Sequence, residues 1–276
     1  MISAREIKSK IRTVRNIEQI CRAMKTVASI RLRRAETRLE RARPYRRRMR
    51  QLADRVAGGT QAHPFLWERP LTRTGMVVIT SDRGLCGGYN ATTIRRALMV
   101  GGPEETVVHA VGRKGRVQMA ARGYEIVDSV VPVGGEPQAG AIWGLADRIG
   151  ERYEEGEIDR VVLVYAHFAG GARAEVRAEV VVPVRPREGA PEEVIFEPDP
   201  GMMLPGLMRR YLRSEMLGAA LEASASEHAA RASAMTAATD NAEEMIRDLT
   251  MDYNKARQAG ITKELTELVG AAEATG

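Results

Sequence analysis

The segment ITSDRGLCGGYN, residues 79–90, contains the residue types of this chain that are most suggestive of chemistry. A β-branched run leads into a polar turn with three glycines and a cysteine, and a helical pattern follows. Glycine-rich turns between a strand and a helix bind phosphate through backbone N–H groups, and a cysteine placed there can act as a nucleophile. The segment is therefore either an active centre or a structural turn.

The glycine spacing does not match the known phosphate-binding patterns. A P-loop needs G-x-x-x-x-G-K-[ST], but no lysine follows these glycines, and a dinucleotide-binding loop needs G-x-G-x-x-G. We therefore expect Gly84, Gly87 and Gly88 to provide tight backbone angles, with Asn90 as the N-cap of the next helix. The basic stretch GRKGR, residues 112–116, is interpreted as a solvated loop, with an anion site as the alternative.

A nucleophilic Cys86 would need a base, and His109 and His167 lie on predicted strands that could approach it, although no spacing requires this. Metal binding is disfavoured because the sequence has no CxxC, no HExxH and no carboxylate pair beside a histidine. The only cysteines are Cys21 and Cys86, so we expect no disulfide framework and a reducing compartment. No cofactor or metal is predicted.

The composition favours long helices over a deep aromatic-lined pocket, since only 4% of the 276 residues are aromatic. No run of about 18 apolar residues could span a bilayer, and the first residues do not resemble a signal peptide. We therefore expect a soluble protein, or one that reaches a membrane complex through other chains.

The net charge of +6 is unevenly distributed. Residues 1–57 carry 18 Lys and Arg against five Asp and Glu, a net charge of +13, and the remainder of the chain has a net charge of −7. Three interpretations stay open for this basic arm: a solvated helix face with ion pairs, nucleic-acid binding by phosphate neutralisation, or docking onto an acidic protein partner. Nucleic-acid binding is weakened by the near absence of aromatic side chains for stacking, since only Tyr45 is available.

Both ends of the chain carry apolar or small residues at steps of three and four, which predicts two long helices. A lone helix of about 80 Å cannot bury such a stripe, so we expect the two to form an antiparallel two-helix coiled coil. His228 falls in this seam and is expected to set the register. The predicted seam positions are Ile7, Ile11, Val14, Ile17, Cys21, Met24, Ala28, Leu32, Ala35, Leu39, Ala42, Tyr45, Met49, Leu52 and Val56, and Leu207, Tyr211, Ser214, Gly218, Leu221, Ala225, His228, Ala232, Met235, Thr239, Ala242, Ile246, Leu249, Tyr253 and Ala256.

Between the two helices, strand-like runs alternate with helical ones, which predicts a mostly parallel, Rossmann-like α/β domain. Two closing strands joined by AGGAR would add an antiparallel edge. The predicted fold class is thus α/β plus long helices, divided into an N-terminal coiled-coil helix at 1–58, an α/β domain at 73–198 and a C-terminal coiled-coil helix at 204–276.

Three stretches, in this order, resemble the γ subunit of the F-type ATP synthase, of bacterial type. They are REIKSKIRTVRNIEQICRAMKTVASIRLRRAE, ITSDRGLCGGYN, and SEHAARASAMTAATDNAEEMI with YNKARQAGITKELTELVGAAEA. The resemblance implies a non-catalytic rotor shaft that couples rotation of a membrane ring to conformational cycling of the catalytic β subunits. It also implies that ITSDRGLCGGYN is a structural corner.

The resemblance further implies partners and contact residues. The partners are the α and β subunits of the α3β3 ring, the ε subunit and the ring of c subunits, with a location peripheral to the cytoplasmic side of the plasma membrane. The implied contact residues are Met24, Lys25, Arg231, Gln258, Thr262 and Glu264. The alternative function is a basic coiled-coil nucleic-acid-binding protein.

Overall fold

A computed structural model of the chain describes residues 4–60, 62–133, 136–170, 175–185 and 200–273, without the side chains of 58, 200–201, 263–264, 267–268 and 270–273. Long helices begin and end it, and a five-stranded sheet with three helices lies between them in sequence. In chain order the elements are α1 (Ala4–Gly59), a 3₁₀ turn (Pro64–Leu66), β1 (Thr74–Ile79), α2 (Tyr89–Leu98), β2 (Thr106–Val111), α3 (Arg113–Ala120), β3 (Glu125–Val130), α4 (Ala139–Glu154), β4 (Arg160–His167), β5 (Glu175–Val182) and α5 (Pro200–Glu273).

The chain forms two compact units, and α1 and α5 contribute to both. The first unit, called the helical unit below, consists of Met1–Val27 and Ala232–Gly276. The second, called the sheet unit, consists of Ala28–Arg231. In each unit α1 side chains bond to α5 side chains, as between Arg22 and Glu243 and between Arg46 and Glu215. The predicted pairing of the two ends of the chain is therefore confirmed.

The sheet of the sheet unit has the strand order β3-β2-β1-β4-β5. The pairs β2–β3, β1–β2 and β1–β4 are parallel, whereas β5 pairs antiparallel with β4. This is the predicted mixed α/β fold, with the closing hairpin at one edge. The strands β1 and β2 are buried along their whole length because helices cover both faces of the sheet.

The two faces of the sheet bury different helices. One face packs against α2 and α3 through residues such as Ile94, Met119 and Val164. The other packs against α4 and against the parts of α1 and α5 that belong to this unit, through residues such as Ile149, Met49 and Met216. The long helices are thus part of the core of the α/β fold as well as partners of each other.

In α1 the buried positions differ from the prediction at three places. The predicted seam residues Ile17, Tyr45 and Leu52 are 49%, 56% and 45% exposed. The next residue along is covered in each case: Glu18 and Ala53 are buried, and the side chain of Arg46 is only 12% exposed. A seven-residue period from Ile11 includes these covered positions, since its members are 11, 18, 25, 32, 39, 46 and 53, of which only Lys25 is exposed. The prediction preferred a nearby apolar residue to the regular period.

Candidate functional site

The loop Thr80–Gly88 connects β1 to α2 and holds most of the quoted motif. The prediction that Asn90 caps α2 is wrong. The helix begins at Tyr89, and Gly88 occupies the N-cap without a side-chain bond. The Asn90 side chain instead holds the loop, since its Oδ1 accepts from Ser81 N at 3.1 Å and its Nδ2 donates to Cys86 Sγ at 3.3 Å. Asn90 is thus the internal brace of the turn.

Of the three glycines of this loop, only Gly87 has a positive φ, at 56°. Leu85 shares the left-handed conformation with a φ of 60°, which is uncommon for a branched side chain. A Cβ on Gly84 would meet no atom within 4 Å. The expected need for tight backbone angles therefore applies to Gly87, and the structure gives no steric reason for glycine at 84.

The same loop satisfies the N-terminus of α3, which the GRKGR stretch begins. Arg113 N donates to Asp82 Oδ1 at 3.1 Å, Lys114 N to Ser81 O at 3.0 Å and Gly115 N to Thr80 Oγ1 at 2.7 Å. These are the N–H groups that an anion at a helix N-terminus would need. The motif GRKGR is therefore a packed corner against Thr80, and the anion-site alternative loses its donors.

Asp82 links this corner to the segment after β3, because its second oxygen, Oδ2, accepts from Val133 N at 2.8 Å. We expect Asp82→Ala to lower the free energy of unfolding of the full chain by about 1 to 2 kcal/mol, because two backbone donors lose their acceptor. Denaturant unfolding followed by circular dichroism measures this. Asp82→Asn keeps one acceptor oxygen and should lose less; an alanine variant as stable as the parent would contradict the capping role.

Cys86 is buried beside Tyr89 and Ala166. Its Sγ lies 3.9 Å from Ser81 Oγ and 3.9 Å from the Arg83 carbonyl oxygen, in addition to the Asn90 contact. His109, one of the proposed bases, makes its contact elsewhere: its Nδ1 lies 3.3 Å from Asp128 Oδ2. Cys86 is a small packing residue of the turn.

Hydrogen bonds tie the α/β fold to α5. Tyr89 Oη donates to the carbonyl oxygen of Ala223 at 3.2 Å, and Ser226 Oγ donates to that of Ala166 at 3.1 Å. Burial, with the nearby Glu227 charge, raises the pKa of Tyr89 well above its ordinary value, so the hydroxyl stays a donor at all ordinary pH. The motif loop, β4 and α5 are thereby fixed to one another.

Arg231, an expected partner contact, is also part of this attachment. Its Nη2 lies 2.7 Å from Glu227 Oε1 and donates to the Gly84 carbonyl oxygen at 3.3 Å. Its Nη1 lies 3.4 Å from Nδ1 of His228, a residue that is only 1% exposed. The side chain of Arg231 is 12% exposed, so most of its polar surface is used within the chain.

A buried ion-pair network joins α1, α5 and the sheet. Arg46 Nη2 donates to Glu215 Oε2 and Arg46 Nη1 to Glu222 Oε1, both at 2.9 Å, and Arg50 Nε donates to Glu215 Oε1 at 3.1 Å. Glu222 also contacts His167 Nδ1. Sequence reasoning missed this network, although the regular seven-residue period placed Arg46 in the seam and Glu215 and Glu222 one period apart.

The charged groups of this network stabilise one another in their ionised forms. Burial opposes the charge of Arg46, but Glu215 and Tyr165 outweigh it, and the pKa of the guanidinium rises above its ordinary value. Burial, opposed by Arg46, raises the pKa of Tyr165 to about 12, so its hydroxyl is neutral at neutral pH. Part of the +13 charge of the basic arm is therefore neutralised inside the molecule.

In the helical unit, Arg22 joins the two helices. Its Nη2 lies 2.5 Å from Glu18 Oε1 on α1 and donates to Glu243 Oε1 on α5 at 2.9 Å. Glu18 is only 8% exposed, so this is a polar contact within the seam that favours one register. Two expected contact residues follow Arg22 on α1 and differ in exposure: Met24 is half-buried and Lys25 is exposed.

The last part of α5 presents an exposed surface. Gln258 and Thr262 are exposed, while the side chain of Glu264 lies outside the described part of the chain. Ile261, Leu265 and Val269 are 48%, 57% and 57% exposed. Their spacing of four places them along one side of the helix, which makes an apolar stripe of about two turns.

Neither a metal centre nor a membrane helix is found among the described residues. No group of three or more His, Cys, Asp and Glu side chains is arranged to hold a metal ion there. None of the helices in the described ranges combines the length and the apolar composition that a membrane crossing requires.

Comparison with known proteins gives one consistent family. A family model described as ATP synthase matches residues 3–275. The chain is 40% identical to the ATP synthase gamma chain of Desulfitobacterium hafniense (strain DSM 10664 / DCB-2), with 99% of each chain covered. It is also 40% identical to the ATP synthase gamma chain of Halothermothrix orenii (strain H 168 / OCM 544 / DSM 9562), again over 99% of each chain.

Solved structures with the same fold come from mitochondrial ATP synthases. A chain in the structure of the Euglena gracilis enzyme, with OSCP, F1 and c-ring in rotational state 3, has a TM-score of 0.71 at 20% identity, covering 99% of this chain and 94% of that one. A chain of the Tetrahymena thermophila central stalk and c-ring has a TM-score of 0.62 at 22% identity, covering 79% of this chain and 99% of that one.

Paired terminal helices with a mixed five-stranded sheet inserted between them in sequence define the class of protein, a pair of long helices that carries an α/β domain. The chain belongs to the gamma-chain family of ATP synthases. Its function is that of the central-stalk rotor of an F-type ATP synthase, and the gamma chain is itself non-catalytic. This assignment replaces both the nucleic-acid-binding alternative and the interpretation of Cys86 as a nucleophile.

Proposed function

We propose that this rotor works through two sets of partners, one for each compact unit. The helical unit contacts the α and β subunits of the α3β3 ring, and the sheet unit contacts the ε subunit and the ring of c subunits. The chain thereby lies at the cytoplasmic face of the plasma membrane, peripheral to it and held by the complex. The chain's own family assignment supports this location.

The observation that carries the proposal is the exposed apolar surface of the helical unit. Besides the stripe of Ile261, Leu265 and Val269, two α1 residues, Ile17 and Ile20, are 49% and 59% exposed, and Met251 of α5 is 57% exposed. An exposed apolar stripe such as that of Ile261, Leu265 and Val269 is typical of a contact with another protein. Because apolar contacts do not need a fixed partner for each side chain, they also permit α5 to turn against the surrounding α and β subunits.

The proposed contact residues around this surface are Met24 and Lys25 of α1 and Gln258, Thr262 and Glu264 of α5. Gln258 and Thr262 are four residues apart on one face, which their exposure leaves accessible to a neighbouring subunit. Arg231 is expected to contribute less to partner binding. To bond a partner it would first have to break its bonds to Glu227 and Gly84, and that cost would offset most of the binding free energy gained.

The mechanism follows from the lack of symmetry of the shaft. The faces of α1 and α5 carry different residues, so a shaft within a threefold ring presents a different surface to each β subunit. Each β subunit is then biased towards a different conformation by its own contacts, which is a population shift. Rotation moves each surface to the next β subunit. The hydrogen bonds and ion pairs of the sheet unit support transmission of torque, because they prevent α5 from slipping against the sheet.

Purification from the organism's own membranes tests the partner assignment. A tagged full-length chain, extracted in mild detergent, should elute with the α, β, ε and c subunits and with ATP hydrolysis activity. Elution without α and β would contradict the α3β3 contact. Elution with α and β but without c and ε would contradict the assignment of the sheet unit alone.

Gln258→Ala combined with Thr262→Ala should lower coupled ATP synthesis about fivefold in the assembled complex, because two polar contacts of modest energy are lost. The matched control is Gln51→Ala with Thr37→Ala, which removes the same two side-chain types from exposed positions of α1 within the sheet unit. Circular dichroism and subunit recovery should match the parent in both variants. Full-rate coupled synthesis in the first variant would overturn the contact assignment.

A further inference from the structure

A cleft of about 480 Å³ opens in the sheet unit between α1, α4 and α5. It is separate from the motif loop and uses none of the proposed contact residues. Its lining consists of Ala42, Tyr45, Arg46, Trp143, Arg210, Arg213, Ser214, Leu217 and Gly218. Clefts between helices with volumes of about 300–1,000 Å³ and mainly apolar walls are typical sites for small molecules.

The walls of this cleft suit a planar ring. Tyr45 of α1 and Trp143 of α4 are 56% and 42% exposed, so two aromatic side chains lie at the opening where water contact is costly. Leu217 of α5 is partly buried and adds an aliphatic surface. Gly218 has no side chain because Arg46 occupies the space beside it: a Cβ at 218 would lie 2.3 Å from Arg46 Cδ.

Besides Ser214, the polar groups that line the cleft are mainly arginine guanidinium groups. Arg210 is exposed and has no ion pair with any carboxylate of the described ranges. Arg213 is held in place by Asp147, with its Nε 2.7 Å from Asp147 Oδ1, and the pair leaves Nη1 of Arg213 outside those bonds. Arg210, a positive group without a matching carboxylate in the described ranges, favours an anionic substituent on the ligand.

Ser214 provides an independent observation. It is only 6% exposed, and its Oγ is a buried polar atom without a hydrogen-bond partner in the described part of the chain. A buried hydroxyl without a partner costs about 1–3 kcal/mol, so a ligand that draws the Ser214 hydroxyl into the cleft gains stability that the free protein lacks. Arg210, Ser214 and Leu217 follow each other at steps of four and three, which places a cation, a hydroxyl and an aliphatic group on one face of α5.

We propose that this cleft binds a small molecule with a planar aromatic body and one anionic group, a carboxylate or a sulfonate. The ring lies between Tyr45, Trp143 and Leu217, and the anion meets Arg210. The Ser214 hydroxyl, which is closed to water in the free chain, turns to bond a polar atom of the ligand. Because three helices form the cleft, such a ligand binds the folded chain and raises its unfolding temperature.

The test uses 8-anilinonaphthalene-1-sulfonate as a probe of this chemistry on the full-length chain labelled with 5-fluorotryptophan. The chain has two tryptophans, Trp67 and Trp143, and only Trp143 lines the cleft. The ¹⁹F resonance of Trp143, assigned with Trp67→Phe, should shift saturably during the titration, while that of Trp67 should not. A Trp143 resonance that does not move, or that moves together with Trp67, would overturn the proposal.

Two variants test the assigned contacts. Arg210→Ala should weaken binding of the probe about fivefold, whereas the control Arg34→Ala, an exposed arginine of α1 outside the cleft, should leave it unchanged. The uncharged analogue N-phenyl-1-naphthylamine should bind about equally to the parent and to Arg210→Ala. Equal affinity of the sulfonate probe for the parent and Arg210→Ala would contradict the anion contact and leave no basis for the proposed ligand class.

Discussion

Replacing Glu215 with Gln is expected to lower the free energy of unfolding of the full chain by about 3 kcal/mol. The Glu215 side chain has no exposed surface, and its oxygens accept from both Arg46 and Arg50. The amide keeps the shape of the side chain but removes the negative charge, so two guanidinium groups lose their shared counter-charge in a buried environment. Breaking one side of a buried ion pair costs more than the pair itself contributes, because the remaining charge stays desolvated.

Denaturant unfolding followed by circular dichroism measures this loss. Glu175→Gln is the matched control, since Glu175 is exposed and pairs with Arg177 on the same strand; its variant should unfold close to the parent. Adding Arg46→Met and Glu222→Gln to Glu215→Gln should recover part of the loss, because the more buried of the two cations is then gone and Glu222 is not left charged without it. A Glu215→Gln variant within about 1 kcal/mol of the parent would show that the network does not hold α1 on α5.

Gly112→Ala is expected to lower the free energy of unfolding by about 3 to 5 kcal/mol, from two separate causes. Gly112 has a φ of 96° and a ψ of 144°, a region open in practice to glycine alone. A Cβ would also lie 2.1 Å from the carbonyl oxygen of Thr80, which is backbone and cannot turn aside. The variant therefore separates the β1 loop from the N-terminus of α3, and the hydrogen bonds from Lys114 and Gly115 to that loop are strained.

Gly123, which also has a positive φ, serves as the control for the backbone strain at Gly112. Gly123 has a φ of 86°, but a Cβ there would meet no atom within 4 Å, so Gly123→Ala measures the backbone strain alone, about 1 kcal/mol. The difference between the two variants is then the cost of the contact with Thr80 together with the additional strain of the glycine-only region at 112. Equal losses at 112 and 123 would contradict the close packing of the motif loop on α3. The measurement is the same denaturant unfolding experiment.

These predictions concern parts of the molecule that serve the rotor indirectly. The Glu215 network holds α1 and α5 together next to the sheet, and the Thr80 corner holds the loop on which Tyr89 and Gly84 bond to α5. A rotor transmits torque only if its attachments resist shear. We therefore expect both variants to lower coupled ATP synthesis more than their unfolding at the assay temperature accounts for.

The sequence by itself determined the elements and their partnership. The steps of three and four along α1 and α5 indicated two helices that needed each other, and the alternation between them indicated a mixed α/β sheet with an antiparallel edge. Helix and strand periods are local properties, so they can be read without knowledge of distant contacts. The three family motifs, which are also local, led to the gamma-chain family that the comparisons show.

Only the tertiary structure decided which side chains meet. Arg46 belongs to the seam, but its polar character hid it, because its cost of burial is offset by Glu215 and Glu222 about 170 residues later in the chain. The part of α5 between 211 and 229, which is rich in Ala and Ser, is covered on nearly all sides because α1 and the sheet pack against it together. Asn90 and Asp82 likewise bond to groups that the fold brings close. Side chains of this kind depend on contacts distant in sequence, and no local period contains that information.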